Sequence, residues 1–357
     1  MAKVNIYDKL NDMMRNEHII RLGKSELRVT RIGFGGIPIQ RLSEDQSVRI
    51  VRHAIEGGIN WIDTANGYGN SEERIGKAIK KYPRSELMVF TKGKGRDPET
   101  LRQQIELSLQ RLQIEYIDLY QFHIVPDADT WRRMQENGSI DVLREYRHRG
   151  RIRHIGASAH TREAAHAVIE HADIEVVQFP FNFIVEQEGM EILEACRHTD
   201  IGFIAMKPFA GGALEDASAC IRYLLSVPGV VTDPGFEQIR EVDEVLSLWN
   251  EGASLSQKDL KNIERLRNDL GTRFCRRCGY CSPCPHGVQI IPLMTMESLI
   301  KRFPVDRLAE GWIASAGASV ENCIECGECE EKCPYKLPII EEIRRGAEAL
   351  RAASSVP

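Results

Sequence analysis

The 357 residues carry 47 lysines and arginines against 52 aspartates and glutamates, a formal charge of −5, and 42% of positions are hydrophobic. That is enough apolar material for one large core with a small appended domain, and the mild acidity excludes a general attraction to nucleic acid or anionic lipid. No apolar run reaches the length of a bilayer span and "MAKVNIYDKLNDMMRNEHII" lacks the apolar centre of a secretory signal, so a cytoplasmic protein with no membrane and no nucleic-acid partner is expected.

Residues 1–18 read as an N-terminal extension. "IIRLGKSELRV", with Gly23, Lys24 and Ser25 as the turn, then predicts a hairpin. From about residue 30 to 250, short β-rich runs alternate with helical patterns: "RIGFGG", "INWID", "LMVFTK", "YIDLYQFH", "IRHIGAS", "IEVVQF", "IGFIAM" and "GVVTDP". The stretches 44–57, 71–81, 99–112, 139–149, 161–170, 188–198, 215–226 and 237–248 are predicted helices between them. Eight such units suit a closed parallel barrel better than an open sheet, so the expected fold class is α/β, a (β/α)8 TIM barrel over residues 19–250. The basic run "REYRHRGRIRHIG" straddles a helix end and a strand start and reads as a solvated surface.

"NEGASLSQKDLKNIERLRNDLG" follows and predicts a helical linker over 251–271, capped at Ser256 and ended by Gly271. Eight of the ten cysteines lie between Cys275 and Cys333, a clustering that marks ligands rather than a disulfide framework. Cys196 and Cys220 sit among helix formers and read as small buried hydrophobes. The quartet "CRRCGYCSPCPHG" supplies Cys275, Cys278, Cys281 and Cys284, and "CIECGECEEKCP" supplies Cys323, Cys326, Cys329 and Cys333. The second has the C-x2-C-x2-C-x3-C-P form associated with [4Fe-4S] clusters, whereas zinc sites more often pair two C-x2-C units across a longer gap. Eight thiolates suffice for two cubanes. In two-cluster ferredoxins the cysteine before proline crosses over, which would set Cys284 with Cys323, Cys326 and Cys329, and Cys333 with Cys275, Cys278 and Cys281; spacing alone leaves the pairing open. The stretch between the quartets looks helical and amphipathic, with its methionines expected in the core, so 272–357 reads as a C-terminal α-helical ferredoxin-like iron-sulfur domain.

Barrel chemistry collects where strands end. Asp63 closes the second strand run with Tyr68 five residues on, Lys92 closes the third and His123 the fourth. A phenol near pKa 10 becomes a useful acid at neutral pH when a cation lowers that value, and Lys92, fixed by Asp63, is the candidate cation. A tyrosine tuned this way can protonate a carbonyl oxygen while a hydride arrives at carbon, with His123 orienting the oxygen.

This combination resembles the aldo-keto reductase superfamily, carried by "IIRLGKSELRVTRIGFGG", "IDTANGYGNSEERIGKAI", "FTKGKG" and "DLYQFH" in the family's order and spacing. The whole chain is similar to the subgroup with a C-terminal 4Fe-4S ferredoxin-like domain. The resemblance implies Tyr68 as the acid, Asp63 and Lys92 as its assisting pair and His123 as the fourth active-site residue. It also implies NADP or NAD extended across the barrel mouth without a Rossmann turn, held by Gly36, Asp63, Ser158, Gln178, Met206, Lys207, Gly211 and Arg240. Four positions depart from the family's pattern. Ala159 stands where an asparagine is usual, Met206 where many members stack an aromatic ring, and Gly235 and Glu241 roughly where NADPH-preferring members carry basic residues, an arrangement expected to let NADH compete. The implied function is reduction of a small carbonyl substrate to an alcohol, with the clusters structural, redox-sensing or serving an external redox partner. The alternative is an electron-transfer or docking protein that keeps the barrel as a nicotinamide-binding module.

Overall fold

The β-branched and aromatic runs of the first 250 residues become a ring of short parallel strands, as a computed structural model describing residues 19–354 shows. The expected extension at 1–18 lies outside the described residues. Two compact units result. One runs through Pro208 and resumes over Ala217–Leu255; the other joins Phe209–Asp216 to Ser256 onward.

In the first unit, β1 (Ile19–Arg21) and β2 (Arg28–Thr30) pair antiparallel. Their turn is longer than the Gly-Lys-Ser triplet: the Leu22 amide donates to the Leu27 carbonyl at 2.8 Å, and Gly23 and Glu26 both take positive φ. Glycine is required at position 23, because a Cβ there would also lie 2.3 Å from the Asp200 carbonyl oxygen.

The parallel strands are β3 (Phe34–Gly35), β4 (Trp61–Asp63), β5 (Met88–Gly93), β6 (Ile117–Val125), β7 (Ile152–Ala159), β8 (Val176–Pro180), β9 (Gly202–Met206) and β10 (Val231–Thr232), each bonded to the next in chain order. Closure comes from parallel bridges between Ile32 and Thr232 and between Gly35 and Gly235, so the expected (β/α)8 barrel forms. The helices are α1 (Glu44–Glu56), α2 (Ser71–Ile79), α3 (Pro98–Leu112), α4 (Ala128–Glu136), α5 (Ser139–His148), α6 (Arg162–Ile169), α7 (Glu186–His198), α8 (Ala217–Ser226) and α9 (Ile239–Glu251). Of these, α4 was not expected. It buries only Trp131 and Met134, too thin an apolar stripe to read, and starts where the Asp127 carboxylate accepts the Thr130 amide.

Leu22 and Val29 of the hairpin pack with Trp61, Phe90, Leu119, Val176, Ile204 and Val231 in one buried cluster. Each such side chain contributes about 1.5–3 kcal/mol by leaving water. The hairpin therefore plugs the N-terminal end of the barrel and leaves the C-terminal end for chemistry. Cys196 and Cys220 are buried as expected. The basic run is neutralised locally: Arg144 and Arg147 pair with Asp173, Arg149 with Glu145 and His154 with Glu175.

The second unit opens with α10 (Gln257–Gly271), capped by Ser256 in a reciprocal box with Asp259. The stretch between the quartets is not one helix but α11 (Ile290–Met294), α12 (Met296–Ile300), α13 (Val305–Ala309) and α14 (Gly311–Ala318). Pro304 and the left-handed Gly311 interrupt it. After α15 (Glu328–Glu331), α16 (Ile339–Ser354) lays Ile339, Ile343, Ala347 and Leu350 into a core with Leu293, Met296, Leu299 and Ile313. No helix among the described residues is long and apolar enough to cross a membrane.

Candidate functional site

One step of two residues converts the apolar plug into a polar layer, because side chains alternate along a strand. Trp61 leads to Asp63, Phe90 to Lys92, Leu119 to Gln121 and then His123, Val176 to Gln178, Ile204 to Met206, and Val231 to Asp233. Gly156 of β7 leads likewise to Ser158.

The Lys92 ammonium donates to Asp63 Oδ2 and, at 2.9 Å, to the Thr64 carbonyl, and both Lys92 and Asp63 are buried. Burial alone would discharge the lysine, but Asp63, with Tyr68 and Asp233 beyond it, outweighs burial and raises its pKa above the ordinary lysine value. Lys92 Nζ lies 5.4 Å from the centre of the Tyr68 ring, and that ring meets the His123 imidazole edge-on with centres 5.5 Å apart. The structure thus brings Asp63, Tyr68, Lys92 and His123 together. Burial first, then the cations Lys92, Lys94, Arg96 and Lys207, push the His123 pKa well below its usual 6.5, so its imidazole is neutral.

Residues read as cofactor contacts have varied placements. Gly36 is wedged between Asp63 and α2: its amide donates to the Asp63 carbonyl and its carbonyl accepts from Ser71 Oγ, both at 2.7 Å. Ser158 Oγ accepts the Ile124 amide at 2.8 Å and keeps its own proton to donate. Gln178 Nε2 is engaged by Asp63 Oδ2 at 3.3 Å and Asp233 Oδ2 at 2.8 Å, so its remaining capacity toward a carboxamide is as an acceptor. Met206 is buried at the end of β9 and Lys207 follows it in the left-handed region. Arg240 is exposed on the first turn of α9, and Gly211 belongs to the segment that groups with the second unit. Glu241 is occupied as a helix cap, accepting the amides of Glu237 at 2.7 Å and Gln238 at 3.1 Å. His123 Nδ1, Gln121 Oε1 and Asp233 Oδ1 are buried without hydrogen-bond partners. A water or a polar ligand would satisfy such groups, which fits a nicotinamide amide or a carbonyl at this end.

Sequence reading missed Gln121 and Asp233. Gln121 donates to Asp63 Oδ1 at 3.3 Å. The period-two step from Val231 would have found Asp233, but "VTDPG" looks like a turn.

In the second unit the eight quartet cysteines line two cavities. One is bounded by Cys284, Cys323, Cys326 and Cys329 with Val288, Ile290, Ile340 and Ile343. The other is bounded by Cys275, Cys278 and Cys333 with Met294, Leu337 and Ile339, and Cys281 faces both. As expected, Met296 is buried in the core and Met294 packs against it, while Met294 also borders this hollow. The quartets share one backbone path. Arg277 and Glu325, each before the second cysteine, are left-handed, as are the following Gly279 and Gly327 and, three residues after the last cysteines, Gly287 and Lys336. Such alternation turns amides inward and makes an anion-binding hollow. Among the described residues no three His, Cys, Asp or Glu side chains converge on a point as a single ion requires. Thiols spread around an apolar-walled hollow fit a multi-iron cluster.

A model of the aldo/keto reductase family matches residues 31–219, and a model of a 4Fe-4S dicluster domain matches 274–338. The NADH-specific methylglyoxal reductase of Escherichia coli (strain K12) is 30% identical over 231 residues, covering 55% of this chain and 68% of the relative. L-galactose dehydrogenase of Arabidopsis thaliana is 28% identical over 213 residues, covering 55% and 66%. Among solved structures, an aldo-keto reductase from Bacillus halodurans in its holo form superimposes with a TM-score of 0.61 at 22% identity, over 70% of this chain and 96% of that one. One from Klebsiella pneumoniae in complex with NADP and acetate gives 0.59 at 22%, over 70% and 95%. With the family's own model matching more than half of the chain, and the strand ends gathering a tyrosine, a lysine, an aspartate and a histidine, the chain belongs to the aldo/keto reductase family and carries a 4Fe-4S dicluster domain after its barrel.

Proposed function

We propose that the barrel, residues 19–250, is an NAD(P)H-dependent reductase of small carbonyl compounds in which Tyr68 is the general acid. The observation that carries this reading is the buried Lys92–Asp63 pair set against the Tyr68 ring. A charged lysine beside a phenol stabilises the phenolate and so makes the hydroxyl a better proton donor. Lys92 keeps that charge because Asp63 holds it, and Gln121 and Gln178 in turn hold Asp63. His123 is neutral and supplies a hydrogen bond or shape rather than a second charge. When bound, the nicotinamide supplies the hydride. Ser158 as donor and Gln178 as acceptor suit the two ends of its carboxamide. Glu241 fills the N-terminus of α9 with a carboxylate, which disfavours a further phosphate there, so NADH is expected to bind at least as well as NADPH. The Escherichia coli relative's name specifies NADH, in the same sense.

For the second unit the reading is two [4Fe-4S] clusters with crossed ligands: Cys275, Cys278, Cys281 and Cys333 for one, and Cys284, Cys323, Cys326 and Cys329 for the other. The cavity linings support this pairing, as does Arg276 of the first quartet stacked over Tyr335, two residues beyond Cys333, at 4.0 Å. Clusters exchange single electrons and a hydride carries two, so an external redox partner is the natural client of this unit.

Anoxic oxidation of NADH and NADPH against aldehydes, ketones and quinones, with Tyr68→Phe alongside, tests the reading. Turnover lost by about 10²- to 10⁴-fold in the variant is expected for a missing general acid. Turnover that survives the change, or its absence from the unaltered protein while its clusters accept electrons from an external donor, sinks the tyrosine assignment and favours a docking or electron-transfer role.

A further inference from the structure

Asp233 stands just beyond β10, and its carboxyl enters the layer formed by Asp63 and Lys92. The two carboxyl groups share one donor, Gln178 Nε2, at 3.3 Å from Asp63 Oδ2 and 2.8 Å from Asp233 Oδ2. Their other partners are unequal. Asp63 also takes the Lys92 ammonium and the Gln121 amide, so both its oxygens are served. Asp233 has no cation, and its Oδ1 is sealed from solvent without a hydrogen bond although the residue as a whole is half-buried. The strands beside it bring no ionisable side chain: β3 offers Gly35, where an added Cβ would lie 2.4 Å from the Asp233 carbonyl oxygen, and β9 sets Ala205 against the preceding Thr232. The titratable neighbours are Asp63, which repels a second negative charge, and Lys92, already committed to Asp63.

One ammonium cannot neutralise two abutting buried carboxylates, and like charges so placed do not both ionise. The better-served carboxylate keeps the charge and the other keeps a proton. Resting on the reading of Tyr68 as the acid, we propose that Asp233 is a positioning residue held as the neutral acid, its hydroxyl donating to Asp63, so that Lys92 faces one carboxylate and its field remains available to Tyr68. Burial and the Asp63 charge both raise the Asp233 pKa well above the usual carboxylate range, in agreement with this arrangement. Ionising Asp233 as pH rises would place a second negative charge beside Lys92, raise the Tyr68 pKa and weaken it as an acid. Each unit of that rise costs about tenfold in the acidity of the phenol.

The test is an infrared titration of the full-length protein, made anoxically beside Asp233→Asn and Tyr68→Phe, with the pH dependence of kcat. A carboxylic-acid carbonyl band at neutral pH that bleaches as pH rises, is absent from Asp233→Asn and persists in Tyr68→Phe is expected. Asp233→Asn should also lose one ionisation from the alkaline side of the kcat profile. Lack of the acid band in the unaltered protein, or an alkaline profile that the asparagine leaves in place, overturns the proposal. A persistent band with undiminished turnover in Tyr68→Phe retains Asp233 as a neutral acid but removes the tyrosine reading and the role proposed beside it, so the two failures are distinguishable.

Discussion

At the scale of single residues, the barrel mouth is organised by what a buried charge requires. Lys92 is tolerable inside the barrel because Asp63 is there, so removing the carboxylate should cost far more than an ordinary surface change. Asp63→Ala is expected to destabilise the protein by about 3–5 kcal/mol, the usual consequence of leaving one half of a buried pair, and to abolish turnover; thermal midpoints and activity of the same preparation check both. His123 makes a second, opposite prediction. Its folded pKa is depressed below the unfolded value of 6.5, so the neutral ring contributes stability that is complete above that value. This contribution is lost as pH falls through 6.5 toward the folded pKa, where the unfolded chain takes up a proton that the folded one refuses. His123→Gln should therefore lose less stability than the unaltered protein between pH 7 and pH 5, a difference visible in paired melting curves.

At the scale of elements, helix ends decide what the barrel rim can bind. Glu241 closes the N-terminus of α9 by accepting the amides of Glu237 and Gln238. Glu241→Ala should weaken the helix by about 1 kcal/mol and, by releasing two donors and a negative charge, shift affinity toward NADPH. Fluorescence titrations of both nucleotides measure the ratio; NADPH bound much more tightly by the unaltered protein would refute the preference. Most elements were legible because burial wrote them: continuous apolar runs for strands covered on both faces, a 3.6-residue stripe for the helices around them. Asp63, Tyr68, Lys92 and His123 were legible for a related reason, since strand ends punctuate those runs. What escaped lay where local signal is weak. Helix α4 buries two residues, and Asp233 sits in a turn-like "TDPG" whose inward direction depends on β10, a strand of two residues. That Phe209–Asp216 groups with the second unit depends on long-range packing: the Lys301 ammonium reaches the Gly212 carbonyl at 2.7 Å and Asn262 Nδ2 reaches Asp216 at 2.6 Å, and no local pattern announces such contacts.

For the molecule as a whole, the question is how two quartets with unequal final spacings make equivalent sites. The shared path answers it. In both quartets the backbone passes through left-handed conformations at matching positions, and the cysteine before proline is followed by the same turn, Gly287 to Cys284 at 3.0 Å and Lys336 to Cys333 at 3.1 Å. Cys275 and Cys278 face one hollow and Cys323, Cys326 and Cys329 the other, Cys281 borders both, and the cysteine before each proline lines the hollow of the opposite quartet. On the proposed pairing, each cluster would cross-link segments about 50 residues apart, and closing such a loop through a metal site would stabilise the helices between them by restricting the unfolded chain. The crossing also makes the ligand chemistry testable without a ligand-bound structure. Cys333→Ala should damage the cluster of Cys275, Cys278 and Cys281, and Cys284→Ala that of Cys323, Cys326 and Cys329. Pairing each change with a first-cysteine change separates the possibilities: Cys333→Ala combined with Cys275→Ala should remove no more iron and sulfide than the worse single variant, since both strike one cluster. Cys333→Ala combined with Cys323→Ala should remove nearly all, since they strike two. The reverse pattern, measured as iron and acid-labile sulfide per chain in anoxically prepared protein, would mean that each quartet keeps its own cluster and that the cavity linings mislead.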